Sequence, residues 1–297
     1  MRPTRRHAVA LLTAAALPLT LAACGSDDES DSTQAATSAA ASTTTTAAAA
    51  CEKGSLDLVT DGTLTVATDK PAYPPYFEDD KPENGRGFES AVAYAIARQL
   101  GFADGEVRWV VEPFNSSYAP GPKNFDFDVN QISITPKRAR QVDFSSPYYT
   151  APQAVVALKR SDAARATTLA ELKEAQLGVQ IGTTSLDAVS DTIQPSRQPK
   201  VFNDSNDVVR ALKQGQVDAA VVDLPTAFYL TAAQVPEAKI VGQFEAPGGD
   251  SWGALLARGS SLTACVSRAV DALRADGTLE RLEQQWMGEA AGAPELQ

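Results

Sequence analysis

Histidine is almost absent from this chain of 297 residues, in which the single histidine is His7. Ser-His-Asp hydrolases, Cys-His proteases and histidine metal sites all need an imidazole, and His7 lies in a segment that we expect to be removed on export. No CxxC or P-loop spacing is present either. These site types are therefore excluded from the mature chain, and neither a metal nor a cofactor is expected.

Long hydrophobic runs are also missing. The apolar stretch at residues 8–21 follows three arginines but is short and interrupted by Pro18, and no later run is long enough to span a bilayer. Leu21-Ala-Ala-Cys24 resembles a bacterial lipobox, which predicts a signal peptide over residues 1–23 and lipidation of Cys24. The alternatives are an ordinary signal peptide with a coincidental cysteine, or a transmembrane helix, which needs about 20 apolar residues.

Residues 24–50 lack side chains that could form a core. From Ala35 to Ala50 the chain contains only Ala, Ser and Thr, and these bury too little apolar area to offset the chain entropy lost on folding. We therefore predict a disordered tether. A flexible segment of this length spans roughly 25 to 30 Å, enough to hold a folded domain away from a membrane.

Basic residues are outnumbered by acidic ones, 26 against 37, for a net charge of −11. Removal of residues 1–23 takes away three arginines and no acidic residue, which leaves 23 against 37 and a net charge of −14. Nucleic acids and anionic membrane surfaces are poor partners for such a chain. Residues 51–297 are numerous enough to bury a core and to form two lobes.

Cysteine is scarce, with three residues in the chain. Cys24 is accounted for by lipidation, which leaves Cys51 at the start of the folded part and Cys265 near its end. In an exported chain such a pair favours a disulfide. Two unpaired thiols are the alternative, because spacing alone does not establish a bond.

Apolar strands alternate with amphipathic helices along the rest of the chain, a pattern typical of an α/β fold. Leu64 to Ala67 is a predicted strand, and the helix that follows is ended by Gly101. One face of that helix carries Phe88, Val92, Ile96 and Leu100. A second half repeats the pattern, with predicted strands at 177–181 and 217–222 and a helix at 206–214.

Polar side chains stand at the C-terminal ends of four predicted strands: Asp69, Ser133, Thr183 and Asp223. The strand before Ser133 is predicted from Val129, Ile132 and Ile134. Open α/β sheets bind ligands at this edge, so these residues form a candidate site. The alternative is that they are turn formers or helix N-caps, which applies especially to Thr183 and Thr184.

Residues 130–148 contain the pattern S-I-T-x-x-R, from Ser133 to Arg138, followed by V-x-F-S-x-P-Y, from Val142 to Tyr148. This pattern resembles the family 3 extracellular solute-binding proteins, the amino-acid receptors of ABC importers. The resemblance covers residues 63–288 and includes Val66 to Phe77, Gly87-Phe-Glu89 and Asp276 to Leu279. It departs from the family at residues 115–124, where Pro120-Gly-Pro122 should prevent a regular helix.

The resemblance implies a two-lobed periplasmic-binding fold, type II-like, with the ligand in the cleft between the lobes. Arg138 and Ser133 would hold the α-carboxylate of an amino acid, with Thr183 and Thr184 beside it, and Asp223 would hold the α-amino group. Taken alone, Arg138 would be a surface charge like Arg140, but an amino acid needs a cation and an anion together. Further candidate ligand contacts are Asp69, Tyr73, Tyr76 and Gln131.

The predicted lobe 1 comprises residues 51–153 and 250–297, and lobe 2 comprises residues 154–249. We expect a monomeric, extracytoplasmic receptor, anchored to the bacterial cell membrane through Cys24, that passes a polar amino acid to an ABC permease with its ATPase. The alternative is an enzyme on the same fold that resembles cyclohexadienyl or arogenate dehydratase. The lipobox and Asp223, placed for an ammonium group, favour the receptor over the enzyme, and a sensor role is third.

Overall fold

A computed structural model describes residues 51–246, 248–288 and 292–297. The predicted signal peptide, the lipidation site at Cys24 and the tether lie outside these residues. None of the helices in the described ranges is long and apolar enough to cross a membrane.

The described residues form two mixed sheets of five strands each. The strands are β1 Leu64–Thr68, β2 Val107–Val111, β3 Phe127–Asp128, β4 Asp143–Thr150, β5 Gln153–Leu158, β6 Leu177–Gln180, β7 Lys200–Phe202, β8 Ala219–Asp223, β9 Ala238–Phe244 and β10 Ser251–Leu256. The first sheet has the order β2-β1-β3-β10-β4 and the second β7-β6-β8-β5-β9. In each sheet three neighbouring strands are parallel and the fourth is antiparallel to them.

Helices cover the faces of both sheets, which confirms the predicted α/β class. They are α1 Phe88–Gln99, α2 Phe114–Ser117, α3 Thr184–Ala188, α4 Ser205–Lys213, α5 Leu224–Tyr229, α6 Thr263–Ala275 and α7 Thr278–Met287. Turns of π-helix at Val189–Ile193 and Leu230–Gln234 follow α3 and α5. We call β1–β4 and β10 with α1, α2, α6 and α7 lobe 1, and β5–β9 with α3–α5 lobe 2.

The core of lobe 1 contains the helix face that the sequence predicted. Phe88, Val92 and Ile96 on α1 are completely buried, and Leu100 is 3% exposed. These side chains pack with residues of β1, β3, α6 and α7. Since burying one large apolar side chain stabilises a fold by about 1.5 to 3 kcal/mol, this face is sufficient to fix α1 against the sheet.

Gly87 allows α1 to begin close to the loop that precedes it. Its φ is +98°, and a Cβ at this position would lie 2.4 Å from the carbonyl oxygen of Tyr76. The backbone N–H of Phe88 donates to Pro75 O at 2.8 Å, and that of Glu89 donates to Tyr76 O at 3.1 Å. A side chain at position 87 would push α1 away from the loop, so glycine here sets the position of Glu89.

The chain crosses between the sheets twice, at residues 151–152 and again after Phe244. The two crossings are joined by a hydrogen bond from Ala151 N to Asp250 O of 3.0 Å. The sequence prediction placed residues 250–297 in lobe 1, whereas Leu296 is buried against lobe 2. It packs on Gly242, which has no side chain to displace it.

The predicted buried strand through Val129, Ile132 and Ile134 is wrong in its extent, because β3 ends at Asp128. Gln131 has a φ of +47°, outside the range of a strand. Beyond it, Ser133 makes one isolated bridge to Trp252. In the segment where the prolines predict no regular helix, α2 ends at Ser117 and residues 118–124 contain no helix.

Candidate functional site

A cleft between the two lobes gathers most of the polar residues that the sequence singled out. Its empty volume, including the solvent space at its open mouth, is about 1020 Å³. Of the predicted contacts, it is lined by Asp69, Tyr73, Gln131, Ser133, Arg138, Thr183, Thr184 and Asp223. Tyr76 lines a second cavity of about 380 Å³. The two cavities share Tyr73, Gln131, Ser205, Asn206 and Thr226.

Arg138 lies on the lobe 1 wall, in a short turn that follows Thr135. It is only 6% exposed, and its guanidinium donates to Ser133 O at 2.7 Å and to Gly182 O of lobe 2 at 3.0 Å. Its carbon Cζ lies 5.3 Å from the ring centre of Phe114 and 4.8 Å from that of Tyr118. No carboxylate among the described residues forms an ion pair with this guanidinium, and burial lowers its pKa.

Asp223 lies on the lobe 2 wall at the end of β8. Its Oδ1 accepts a hydrogen bond of 2.6 Å from the amide of Gln153, which also donates to Asp250 at 2.5 Å. Burial, and then the charge of Asp250, hold the pKa of Asp223 well above its usual value. The hydrogen-bond partner of Asp223 is thus a neutral amide, and no cation in the described part of the chain forms an ion pair with it.

Thr183 and Thr184 follow β6 and have different roles. Thr183 Oγ1 accepts from Leu186 N at 3.2 Å and caps α3, which is the alternative that the sequence had left open. Thr184 Oγ1 donates to Asp250 at 2.9 Å and lies 3.2 Å from the hydroxyl of Ser133 on the other lobe. Both threonines line the cleft, but only Thr184 joins its two walls.

Asp69 and Tyr73 line the cleft, and Tyr76 lines the second cavity. Asp69 accepts from Lys70 N at 2.6 Å and from Phe114 N at 3.2 Å, so it shapes a turn while lining the cleft. Tyr76 Oη lies 2.8 Å from Thr226 Oγ1 of lobe 2. The ring of Tyr73 lies 6.5 Å from that of Tyr229, and burial raises the pKa of Tyr73 to about 12.

Glu89, Gln153 and Asp250 belong to the site and were missed by the sequence reasoning. Gln153 is completely buried and Asp250 is 1% exposed; both stand at the crossings between lobes, a position that no local pattern marks. Glu89 is also completely buried. The one sequence feature that could have identified it is its position as an acidic residue in the first turn of α1. Burial raises the pKa of Glu89 to about 7.

The side chains of the cleft suit binding by charge and hydrogen bonds. Among the described residues, no group of three or more His, Cys, Asp or Glu side chains could hold a metal ion. A buried guanidinium on one wall and a half-buried carboxylate on the other, with hydroxyls between them, are complementary to a small molecule that carries both charges.

Comparison with known proteins places the chain in a family. The model of bacterial extracellular solute-binding proteins, family 3, matches residues 64–289. The chain is 28% identical over 241 residues to the L-cystine-binding protein TcyJ of Escherichia coli (strain K12), covering 80% of this chain and 87% of that protein.

Two solved structures are similar over most of the chain. One is an ancestral arginine-binding protein bound to arginine, with 33% identity, a TM-score of 0.62, and coverage of 76% of this chain and 99% of that one. The other is the ancestral amino acid-binding protein AncCDT-1, a precursor of cyclohexadienyl dehydratase, with 29% identity, a TM-score of 0.62, and coverage of 76% and 95%. These matches confirm the predicted two-lobed fold. The chain belongs to family 3 of the bacterial extracellular solute-binding proteins.

Proposed function

We propose that this chain captures a polar amino acid between its lobes and delivers it to an ABC importer, and that it is not an enzyme. The observation that carries this proposal is the placement of Arg138 and Asp223 on opposite walls of one cleft. Neither forms an ion pair with any residue that the structure describes. The α-carboxylate of the ligand would bind Arg138, and its α-ammonium group would bind Asp223. Two of the similar proteins bind amino acids: TcyJ is an L-cystine-binding protein, and the ancestral protein is bound to arginine.

Arg138 is well placed to take a carboxylate. Two of its five N–H groups are held by backbone carbonyl oxygens, which fixes the plane of the guanidinium and leaves donors for a ligand. The guanidinium also makes cation–π contacts with the rings of Phe114 and Tyr118. Because an unpaired buried charge costs several kcal/mol, a carboxylate that pairs with Arg138 would recover part of that cost.

Asp223 would gain from an ammonium ligand for a similar reason. Burial and the charge of Asp250 disfavour its ionised form and raise its pKa. A cation beside it acts in the opposite direction and favours the carboxylate. The α-ammonium group of an amino acid would therefore favour the ionised form of Asp223, which burial and Asp250 disfavour.

Contacts across the cleft support binding by closure of the lobes. Lobe 1 reaches lobe 2 through Arg138 with Gly182 O, Ser133 with Thr184, and Tyr76 with Thr226. A ligand that contacts both walls stabilises the closed arrangement, because only there are all its contacts made. The second cavity, beyond Tyr73 and Gln131, would hold the side chain of the ligand.

A thermal-shift screen of the twenty amino acids and cystine tests this proposal. A ligand present at 100 times its Kd adds about 2.7 kcal/mol of stability, which should raise the melting temperature by roughly 5 to 11 °C for a domain of this size. Prephenate and arogenate are assayed for turnover in parallel. The proposal is wrong if no amino acid shifts the melting temperature while either of these compounds is consumed.

We propose further that Cys24 is lipidated and that residues 24–50 tether the domain to the outside of the cell membrane. The motif from Leu21 to Cys24 and the Ala, Ser and Thr run after it support this proposal. Cys24→Ser is expected to release the protein into the medium, because the thiol that carries the lipid is lost. Membrane fractionation with immunoblotting measures the effect, and Ser26→Ala is the control. Retention of the Cys24→Ser protein in the membrane fraction would contradict lipidation.

A further inference from the structure

Gln131 stands where the two cavities meet, since it lines both. Its φ of +47° is uncommon for a residue with a side chain, and a residue keeps such a strained conformation only where other contacts stabilise it. It is therefore held in place by its surroundings. The residue that holds it is Glu89.

Glu89 receives three donors on its two carboxylate oxygens. Oε1 accepts from the backbone N–H of Gln131 at 2.7 Å and from the hydroxyl of Tyr148 at 2.5 Å. Oε2 accepts from the side-chain amide nitrogen of Gln131. Since a carboxylate can only accept, the Nε2 of Gln131 must point toward α1. The other end of this amide is its oxygen.

The amide oxygen of Gln131 has no hydrogen-bond partner among the described residues, and it is not one of their buried unpaired polar atoms. It is therefore open to the space that Gln131 lines. The nearby hydroxyl of Tyr76 already has a partner, since its Oη lies 2.8 Å from Thr226 Oγ1. Gln131 thus offers a free acceptor at the entrance to the second cavity.

We propose that Glu89 positions the amide of Gln131 with its oxygen toward the ligand, so that the site selects amino acids whose side chains end in a hydrogen-bond donor. This inference rests on the proposed amino-acid binding and deepens it: Gln131 is a specificity-determining residue and Glu89 a positioning residue. The ligands favoured are those with amide, guanidinium or ammonium ends. A ligand side chain that has only acceptors would be disfavoured, because it could not donate a hydrogen bond to the amide oxygen of Gln131.

Glu89→Gln tests the orientation because it changes one oxygen to a nitrogen without changing shape. The backbone N–H of Gln131 is a fixed donor, so the oxygen of the new side chain must remain at the position of Oε1. Its nitrogen then occupies the position of Oε2 and faces the nitrogen of Gln131, donor against donor. The amide of Gln131 should therefore rotate by half a turn and present its nitrogen to the cleft.

The measurement is calorimetric titration at about pH 8 with L-glutamine and with L-glutamate γ-methyl ester. Both probes have uncharged side chains of similar size, and only glutamine has a donor at its end. The wild-type chain is expected to bind glutamine at least about tenfold more tightly than the ester, since a buried acceptor left without a donor loses about this factor or more. In Glu89→Gln this preference should vanish or reverse.

Asp128→Asn is the control for an acid-to-amide change at a second buried carboxyl group of lobe 1. Asp128 is completely buried like Glu89, and neither of its carboxylate oxygens has a hydrogen-bond partner among the described residues. This variant should keep the preference of the wild type for glutamine. A parallel loss of preference in Asp128→Asn would show that any acid-to-amide change in this core has the same effect, and would overturn the specific role of Glu89.

Two further variants separate specificity from folding. Gln131→Gly accepts the positive φ without strain and removes the side chain, so it should fold and bind both probes within about threefold of each other. In Glu89→Gln/Gln131→Glu, the amide nitrogen of residue 89 can donate to one oxygen of residue 131 and leave the other toward the cleft. This double variant should regain the preference for glutamine, which a purely structural role of Glu89 would not produce.

Glu89 also gives the selectivity a dependence on pH. Its protonated form would carry the proton on Oε2 and act like the Glu89→Gln side chain, and the pKa of Glu89 is raised to about 7 by burial. Below that pH the wild-type preference for glutamine should fall, whereas in Glu89→Gln it should stay flat. The other titratable groups near Glu89, namely Tyr76, Tyr148, Asp128 and Asp223, are present in both proteins and are controlled by the comparison.

The outcomes distinguish this inference from the proposed function. If no amino acid binds the wild-type chain, the proposed function fails. If amino acids bind, but the tightest ligands have apolar or acceptor-only side chains, or the probe ratio is unchanged in Glu89→Gln, then amino-acid binding stands and the role of Gln131 and Glu89 is wrong.

Discussion

Arg138→Ala is expected to weaken binding of the amino acid found in the screen by roughly 30-fold to a few thousand-fold. Truncating one member of a desolvated charge pair costs about 2 to 5 kcal/mol, and the α-carboxylate of the ligand would lose its guanidinium partner. Asp223→Asn keeps the size of the side chain and removes the charge opposite the α-ammonium group, so a loss of similar size is expected. Calorimetric titration measures both.

Arg138→Lys should bind almost as poorly as Arg138→Ala, because one ammonium group cannot reproduce the planar two-pronged contact or its stacking on Phe114 and Tyr118. Arg140→Ala is the matched control: Arg140 lies two residues away in the same turn, but it is exposed. If Arg138→Ala and Arg140→Ala both bind within about threefold of the parent, the ligand carboxylate lies elsewhere.

Local patterns predicted those parts of the fold that local forces determine. The spacing of Phe88, Val92 and Ile96 requires one helical face, and α1 buries that face. The strand predicted from Val129 to Ile134 had the same apolar character, yet it ends at Asp128. The contact that changes the backbone there comes from Glu89, 42 residues away in the sequence, and no pattern within the segment reports it.

In the candidate site, too, some residues could be predicted from local sequence and others could not. Arg138 and Asp223 could be found because each follows a recognisable strand or turn motif, and the fold brings both to one cleft. Gln153 donates a hydrogen bond to Asp250, 97 residues away in the sequence. Thr184 donates to the same carboxylate from a distance of 66 residues in the sequence. Such contacts depend on how the two crossings between lobes pair, which is a property of the whole fold.

The disulfide predicted between Cys51 and Cys265 is confirmed, with a Cα–Cα distance of 5.4 Å. It joins the start of the described chain to α6, and Cys51, Leu56 and Leu58 pack against the core of lobe 1. Because the bonded residues are 214 positions apart, the cross-link restricts the unfolded chain strongly. The chain-entropy model gives about 5 kcal/mol as an upper value for such a loop.

Cys51→Ala/Cys265→Ala is therefore expected to lower the free energy of unfolding by about 2 to 5 kcal/mol, which corresponds to a fall in melting temperature of roughly 4 to 20 °C. Amino-acid affinity should stay within about threefold of the parent, because neither cysteine lines the cleft. Scanning calorimetry and ligand titration on the same preparations measure the two effects, with the parent under reducing conditions as a second comparison. A double variant that melts within about 2 °C of the oxidised parent would show that the packing of residues 51–58 on lobe 1, and not the cross-link, holds this end of the chain.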